Sequence, residues 1–402
     1  MAKDTARTLG IRTLAVHAGQ TPDPSTGAVA TPISTASAYS YGDFDTGEQR
    51  FSGESPGFIY SRFANPTVAA LEGKMAALEG KMAALEGGES AVAFASGMAA
   101  ICASVLALVS SGDELIHVGT LYGGTEGVMR NLLPRFGVRS LHVATVAQLE
   151  AAITPKTRLI FAETPDNPML GIVDLAQAAR IARAHGIVTV ADNTFATPCL
   201  TQPLSLGIDV VVHSATKFIG GHGDATGGVV VASRALVEKI RGVGLKQFGG
   251  CLSPFEASLL IRGLKTLPLR VEAASLSAER IARLLDAHPA VTTVFYPGLE
   301  SHPGHAVARR QMSRFGALMA FELKGGKAAA RTFLDSLTLV TQAVSLGDTD
   351  SLACHPASTT HSAVAEDIRR QYGVTEGLVR LSVGIEDVED LEHDITQALD
   401  TL

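Results

Sequence analysis

Between about residues 90 and 230 the chain alternates short β-rich runs with helical stretches, and this alternation constrains the fold more than any other feature. The runs are AVAFAS, DELIHVG, TRLIFAETP, IVTVADNT, DVVVHSATK and GGVVVAS, separated by segments such as LAQAARIARAHG. Such a succession is the signature of α/β units on a mostly parallel sheet. Ligands on sheets of this kind bind beyond the carboxyl ends of the strands. Ser96, Glu163, Asn167, Asp192, Asn193, Ser214, Thr216 and Lys217 all fall at those ends.

The flanks read differently. Residues 1–65 are rich in Pro, Gly, Ser, Thr and Tyr and predict an irregular extended arm. After NPT at 65–67 an alanine-rich helix begins. It contains GKMAALE at 73–79 and again at 80–86. A seven-residue repeat is close to two helical turns, so it preserves the helix face while adding about 10 Å of length. The expectation is a local duplication in a surface helix. From about 255 a long helix runs through PFEASLLIRGLKTLPLRVEAASLSAERIARLLDAH into a second α+β region, with strands near TTVFYPG, ALMAFELKG, LVTQAVSLG and LVRLSVGIE. Three units are expected: an arm over 1–65, a large α/β domain over 66–255 and a smaller α+β domain over 256–402.

Composition excludes some classes of function. Of 402 residues, 46% are hydrophobic and 18% charged, which predicts a globular chain. The net charge of −7 and the lack of basic runs argue against nucleic acid as a partner. The start lacks the apolar core of a signal peptide, and runs such as AAICASVLALV are too short to span a bilayer. A cytoplasmic protein without a membrane partner is expected. Cys102, Cys199, Cys251 and Cys354 are scattered and read as small buried hydrophobes. HPGH at 302–305 reads as a surface turn, and no metal site is expected.

Within DVVVHSATKFIGGHGDATGG the placement of Lys217 poses a problem. Burial disfavours the charged amine, so a lysine ending a core strand is a poor structural choice. It is a good chemical one, because a partly desolvated amine is nucleophilic toward an aldehyde. The Ser and Thr before it suit a phosphate, and together these features point to pyridoxal phosphate. That cofactor also needs a carboxylate for its ring nitrogen. Asp192 ends the preceding strand. ASGMAA at 95–100 offers the backbone N–H groups of Gly97 and Met98 at a helix start, where an anion is favoured.

The motifs SATKFIGGHGD, ADNTF, YSRFANPT, ASGM, LYGGT and HPASTTHS resemble the Cys/Met-metabolism branch of fold-type I pyridoxal-phosphate enzymes, from about residue 10 to the end. The resemblance implies an aspartate-aminotransferase-like fold with a large, mostly parallel domain and a smaller C-terminal one. It implies that Lys217 holds the cofactor covalently, that Asp192 meets the pyridine nitrogen and that Tyr122 stacks on the ring as acid or base. Gly97, Met98, Ser214 and Thr216 would hold the phosphate, and Asn167 would lie near the ring hydroxyl. Tyr60 and Arg62 would reach the phosphate of a neighbouring subunit in a homotetramer. Arg380 would clamp the carboxylate of an amino-acid substrate, with Ser345 and Thr360 lining that pocket.

Within the family, Ile59 stands where cystathionine-handling members place an acidic residue, which implies an uncharged substrate tail. The segments AVSLGDTDSLACHPASTTHS and EGLVRLSVGIEDVEDL look most like methionine γ-lyase, so γ-elimination giving 2-oxobutanoate is the first expectation. Two departures cut against it. Gly124 in LYGGT stands where methionine γ-lyases carry cysteine, and Lys246-Gln247 stands where they carry Lys-Asp. Sulfhydrylation of an O-acylhomoserine is the alternative, followed by cystathionine γ-synthase or γ-lyase chemistry.

Overall fold

The computed structural model describes residues 9–79, 89–362, 366, 369 and 372–402. Two sheets organise them. The first has seven strands: β1 (Glu89–Phe94), β2 (Glu114–Val118), β3 (Arg139–Val143), β4 (Thr157–Glu163), β5 (Val188–Asp192), β6 (Val210–Ser214) and β7 (Gly228–Ser233). Their spatial order is β1-β7-β6-β5-β4-β2-β3. The inner ladder from β3 to β6 is parallel, and β7 runs antiparallel to both β6 and β1. Val210, Val211, Val212, Val229, Val230 and Val231 are almost wholly buried, as central strands covered on both faces require.

The second sheet has five strands: β8 (Val291–Phe295), β9 (Leu318–Leu323), β10 (Thr341–Gln342), β11 (Leu352–Cys354) and β12 (Leu378–Ser382), in the order β10-β11-β12-β9-β8. The helix Pro254–Ala287 links the sheets. Its N-cap Ser253 accepts from Phe255 N–H, and Pro254 sits where a helix start tolerates proline. It approaches the large sheet so closely that a Cβ at Gly263 would lie 2.4 Å from the carbonyl oxygens of Ile219 and Gly220. Arg270, from the same helix, is buried and donates to Phe218 O at 2.8 Å.

Several expectations need correction. The arm is not wholly irregular: it contains helix α1 (Ile11–His17) and helix α2 (Phe44–Ser52), the latter capped by Asp43 accepting from Thr46 N–H. Helix α3 (Pro66–Glu79) is not a surface helix, because Leu71, Lys74, Met75, Leu78 and Glu79 within it are buried. Lys74 is tolerated there since its amine donates to the carbonyls of Ala15 and Val16 in α1. The first heptad copy lies in this helix, and the second lies outside the described residues. Cys354 is buried as expected, but Cys102 and Cys199 are half-buried and Cys251 is exposed. HPGH does form a turn: His302 Nδ1 accepts from Gly304 N–H, and His302 itself is buried. Among the described residues no group of three metal-ligating side chains occurs, and no helix is long and apolar enough to cross a membrane.

Candidate active site

A cavity of about 550 Å³ lies beyond the carboxyl ends of β4, β5 and β6, between the two sheets. On one wall β6 ends at Ser214 and the chain turns through Thr216 and Lys217. Ser214 N–H donates to Thr194 Oγ1 at 2.8 Å, and Thr216 Oγ1 accepts from Gly227 N–H at 3.0 Å. Helix α4 (Gly97–Leu108) begins opposite, capped by Ser96 accepting from Ala99 N–H. Gly97 packs hard against this wall: a Cβ there would meet Ser214 Oγ at 2.8 Å. The helix N-terminus, Met98, Ser214 and Thr216 therefore converge on one end of the cavity, in an arrangement suited to an anion.

The same cavity holds two acids. Glu163 and Asp192 are register partners on β4 and β5, and both are buried. Two carboxylates so placed do not ionise together readily. Glu163 is pushed well above the usual carboxylate range by burial and then by the charge of Asp192. Burial also raises Asp192, but the hydroxyl and N–H of Thr194 hydrogen-bond to it and oppose the rise. Both carboxyls are therefore pushed toward the neutral form, and only Asp192 has the Thr194 hydroxyl and N–H to favour its anion. Glu163 also anchors Tyr122, accepting its backbone N–H at 2.7 Å at the start of helix α5 (Gly123–Gly127).

Lys217 reaches across the cavity toward the second sheet. Its amine donates to Ser345 Oγ at 2.9 Å. Burial, followed by the nearby charge of Arg380, lowers its pKa, while Asp348 works the other way. Arg380 is buried on β12 and donates to Asn167 Oδ1 at 3.0 Å and to Ser345 O at 2.8 Å. Ser345 adopts φ 87, a left-handed conformation that costs a non-glycine residue about 1–3 kcal/mol. That strain aims its hydroxyl at Lys217 and its carbonyl at Arg380. Thr360 completes the wall, with its hydroxyl 2.9 Å from His361 Nδ1.

The structure therefore brings Lys217, Asp192, Tyr122, Gly97, Met98, Asn167, Ser214, Thr216, Ser345, Thr360 and Arg380 to one cavity. Gly124 stands behind the Tyr122 ring, where a Cβ would lie 2.6 Å from Tyr122 Cε1. Tyr60 and Arg62 do not line the cavity; Arg62 Nη1 donates to Lys246 O, and its guanidinium lies 4.6 Å from the Phe63 ring centroid. Two contributors had no role in the sequence reading. Glu163 was legible only as a polar strand-end residue, since its pairing with Asp192 depends on strand register. Thr194, two residues beyond Asp192, follows the Asx-type spacing that would have disclosed it.

A buried amine whose charged form burial disfavours, set between an anion cup and a carboxylate, suits the anchoring of a phosphorylated aldehyde. The cup, the buried Asp192 carboxyl and the lysine fit pyridoxal phosphate, and a side chain at Gly97 would crowd the cup. The model describing Cys/Met metabolism PLP-dependent enzymes matches residues 12–400, and the chain belongs to that family. L-methionine gamma-lyase of Pseudomonas putida is 48% identical over 393 residues, covering 97% of each chain. Cystathionine gamma-lyase of Bacillus subtilis is 45% identical, covering 97% of this chain and 99% of its own. A Campylobacter jejuni structure named as an O-acetylhomoserine (thiol)-lyase, and containing N'-pyridoxyl-lysine-5'-monophosphate, superposes with a TM-score of 0.92 at 33% identity. It covers 98% of this chain and 100% of its own.

Proposed function

We propose that this chain catalyses γ-elimination on methionine or a related sulfur amino acid, releasing 2-oxobutanoate, ammonia and a thiol. The observation that carries the reading is the bridge from Lys217 through Ser345 to Arg380. An α-carboxylate seated on the Arg380 fork would place the α-carbon beside the Lys217 amine. The identity to methionine γ-lyases and the uncharged Ile59 support the sulfur amino acid as substrate.

The cofactor, held by Lys217, Asp192 and the phosphate cup, would supply an electron sink for carbanion chemistry. The protein residues do the rest. Asp192, kept anionic, would hold a ring proton. Lys217, whose charged form burial disfavours, is suited to take the α-proton and return it further along the chain. Asn167 accepts from Arg380 and would lie near a ring substituent of the cofactor. Tyr122, half exposed and lining the cavity, would stack on the ring and move a proton near the leaving group.

Tyr60 and Arg62 are assigned to the cavity of a neighbouring subunit, which makes the active site a shared feature of a homotetramer. The arm 1–65, the cofactor-binding unit 66–255 and the C-terminal unit 256–402 then have separate tasks, and the assembly is assigned to the cytoplasm. A second reading, thiol capture on an O-acylhomoserine, is favoured by Gly124, which leaves Tyr122 unobstructed. Release of 2-oxobutanoate from L-methionine without added thiol tests the first reading. Negligible release, with fast consumption of O-acetylhomoserine once sulfide is added, would establish the second.

A further inference from the structure

Glu79 lies on helix α3, and its one carboxylate reaches both β6 and the residue that follows β5. Glu79 Oε1 lies 2.6 Å from His213 Nε2 and accepts from Asn193 Nδ2 at 3.3 Å. His213 immediately precedes Ser214 on β6, and Asn193 immediately follows Asp192 at the end of β5. Asn193 is fixed in turn: its N–H donates to Val212 O at 2.9 Å and its side chain to Thr201 O at 3.0 Å. Leu78 O, one residue before Glu79, accepts from Gln202 Nε2 at 3.0 Å, so the backbone beside Glu79 is held as well. The Glu79 and His213 side chains are fully buried. A carboxylate so deep is costly unless paired, and the imidazole supplies the partner.

We infer that Glu79, acting through His213 and Asn193, is a positioning residue that fixes the spacing between Asp192 and the phosphate cup. The strand end presenting Asp192 and the one presenting Ser214, Thr216 and Lys217 are joined by the β5–β6 ladder and by Ser214 N–H to Thr194 Oγ1, and the Glu79 oxygen adds a side-chain bridge between them. The two ends of the cofactor would be gripped by these two strands, so their separation sets how well it fits. The inference rests on the reading that Asp192 meets the ring nitrogen.

Charge follows the same connection. The groups facing Asp192 are Glu163 from β4, His213 from β6 with Glu79 behind it, and the Thr194 hydroxyl; Asp166 faces Glu163. Burial raises Asp192, and the charge of His213 is among the effects that oppose it. A neutral residue at 79 removes the carboxylate that holds the His213 ring in place beside Asp192. Asp192 then binds its proton more readily, and cofactor affinity that needs the carboxylate is lost at a higher pH.

The repeat complicates the choice of variant, because Glu86 occupies the same place in the second GKMAALE. The test therefore uses Glu79→Gln/Glu86→Gln, with Asp192→Asn as control. Full-length apoprotein is titrated with pyridoxal 5'-phosphate across the acid-to-neutral range, and its melting temperature is recorded. The double variant is expected to bind about tenfold more weakly at neutral pH, as loss of an outer partner commonly costs, with the acid limb of binding moved to higher pH. A lower melting temperature with wild-type affinity and pH profile would mean a purely structural role and would overturn the inference. If Asp192→Asn also leaves affinity unchanged, the underlying reading of Asp192 fails instead. Should the double variant not fold, His213→Gln carries the same expectation, and wild-type binding by it has the same overturning force.

Discussion

Replacing Gly124 tests how the cavity selects its substrate. A Cβ at this position would lie 2.6 Å from Tyr122 Cε1 and 3.0 Å from Met98 Sδ. Carbon atoms rest about 3.5–4.0 Å apart, so the Tyr122 ring must move by roughly 1 Å. The ring is half exposed and can move, whereas Met98 is packed beside the phosphate cup. Inserting one buried atom in this way typically costs about 1–3 kcal/mol. Since about 1.4 kcal/mol is tenfold in rate or affinity, displacing Tyr122 should change the ratio of kcat/KM between methionine and O-acetylhomoserine by about tenfold. Gly124→Cys is expected to favour methionine. Gly124→Ala carries the same Cβ without the thiol, so it separates steric displacement from sulfur chemistry. The assay is 2-oxobutanoate release from L-methionine beside O-acetylhomoserine consumption with sulfide. If neither variant alters the ratio, the Tyr122 position does not govern selectivity and the steric account is wrong.

Other outcomes follow from the same geometry. Arg380→Ala breaks two charge-assisted hydrogen bonds and removes the proposed carboxylate clamp, at about 1.5–3 kcal/mol for each such bond; steady-state kinetics should show kcat/KM down by at least about a hundredfold. Burial, opposed mainly by the N–H of Gly171, raises Asp166 from the usual 3.8 to about 6. Its stabilising contribution is full below the unfolded value and fades as pH rises through about 6; Asp166→Asn should therefore flatten melting temperature against pH in that window. Deleting residues 80–86 removes one of two identical heptads. Melting temperature, oligomeric state and cofactor content should stay as in the parent chain, and a gain in cofactor content would show that the duplication disturbs the site.

The parallel core was legible because its strands are short, apolar and set between helical stretches. Strand β3 escaped notice because it is an edge strand: RSLHV mixes charge and histidine and is half exposed. The opposite error occurred at LVTQAVSLG, which reads as a long strand but pairs over only Thr341–Gln342. The left-handed Ser345 interrupts it. Helix α3 misled for another reason. Lys74 and Glu79 look like a solvated face, yet each is buried against a specific partner that no periodicity reveals. The cavity residues at strand ends were visible in the sequence because topology alone delivers them there. Those that depend on register, such as Glu163 opposite Asp192, required coordinates.

The helix Pro254–Ala287 carries a mechanical consequence. At one end it presses on the turn just after Lys217, through Gly263 and Arg270. Toward the other it lies against β8 and β9, and β9 is hydrogen-bonded to the strand bearing Arg380. Lysine and clamp are thus mounted on a single strut, like the fixed jaws of a gauge. On the proposed function, this strut would set the distance from carboxylate clamp to lysine against which a substrate is measured. Discrimination among amino acids then falls to the part of the molecule that extends past the jaws, toward Tyr122 and the space behind it.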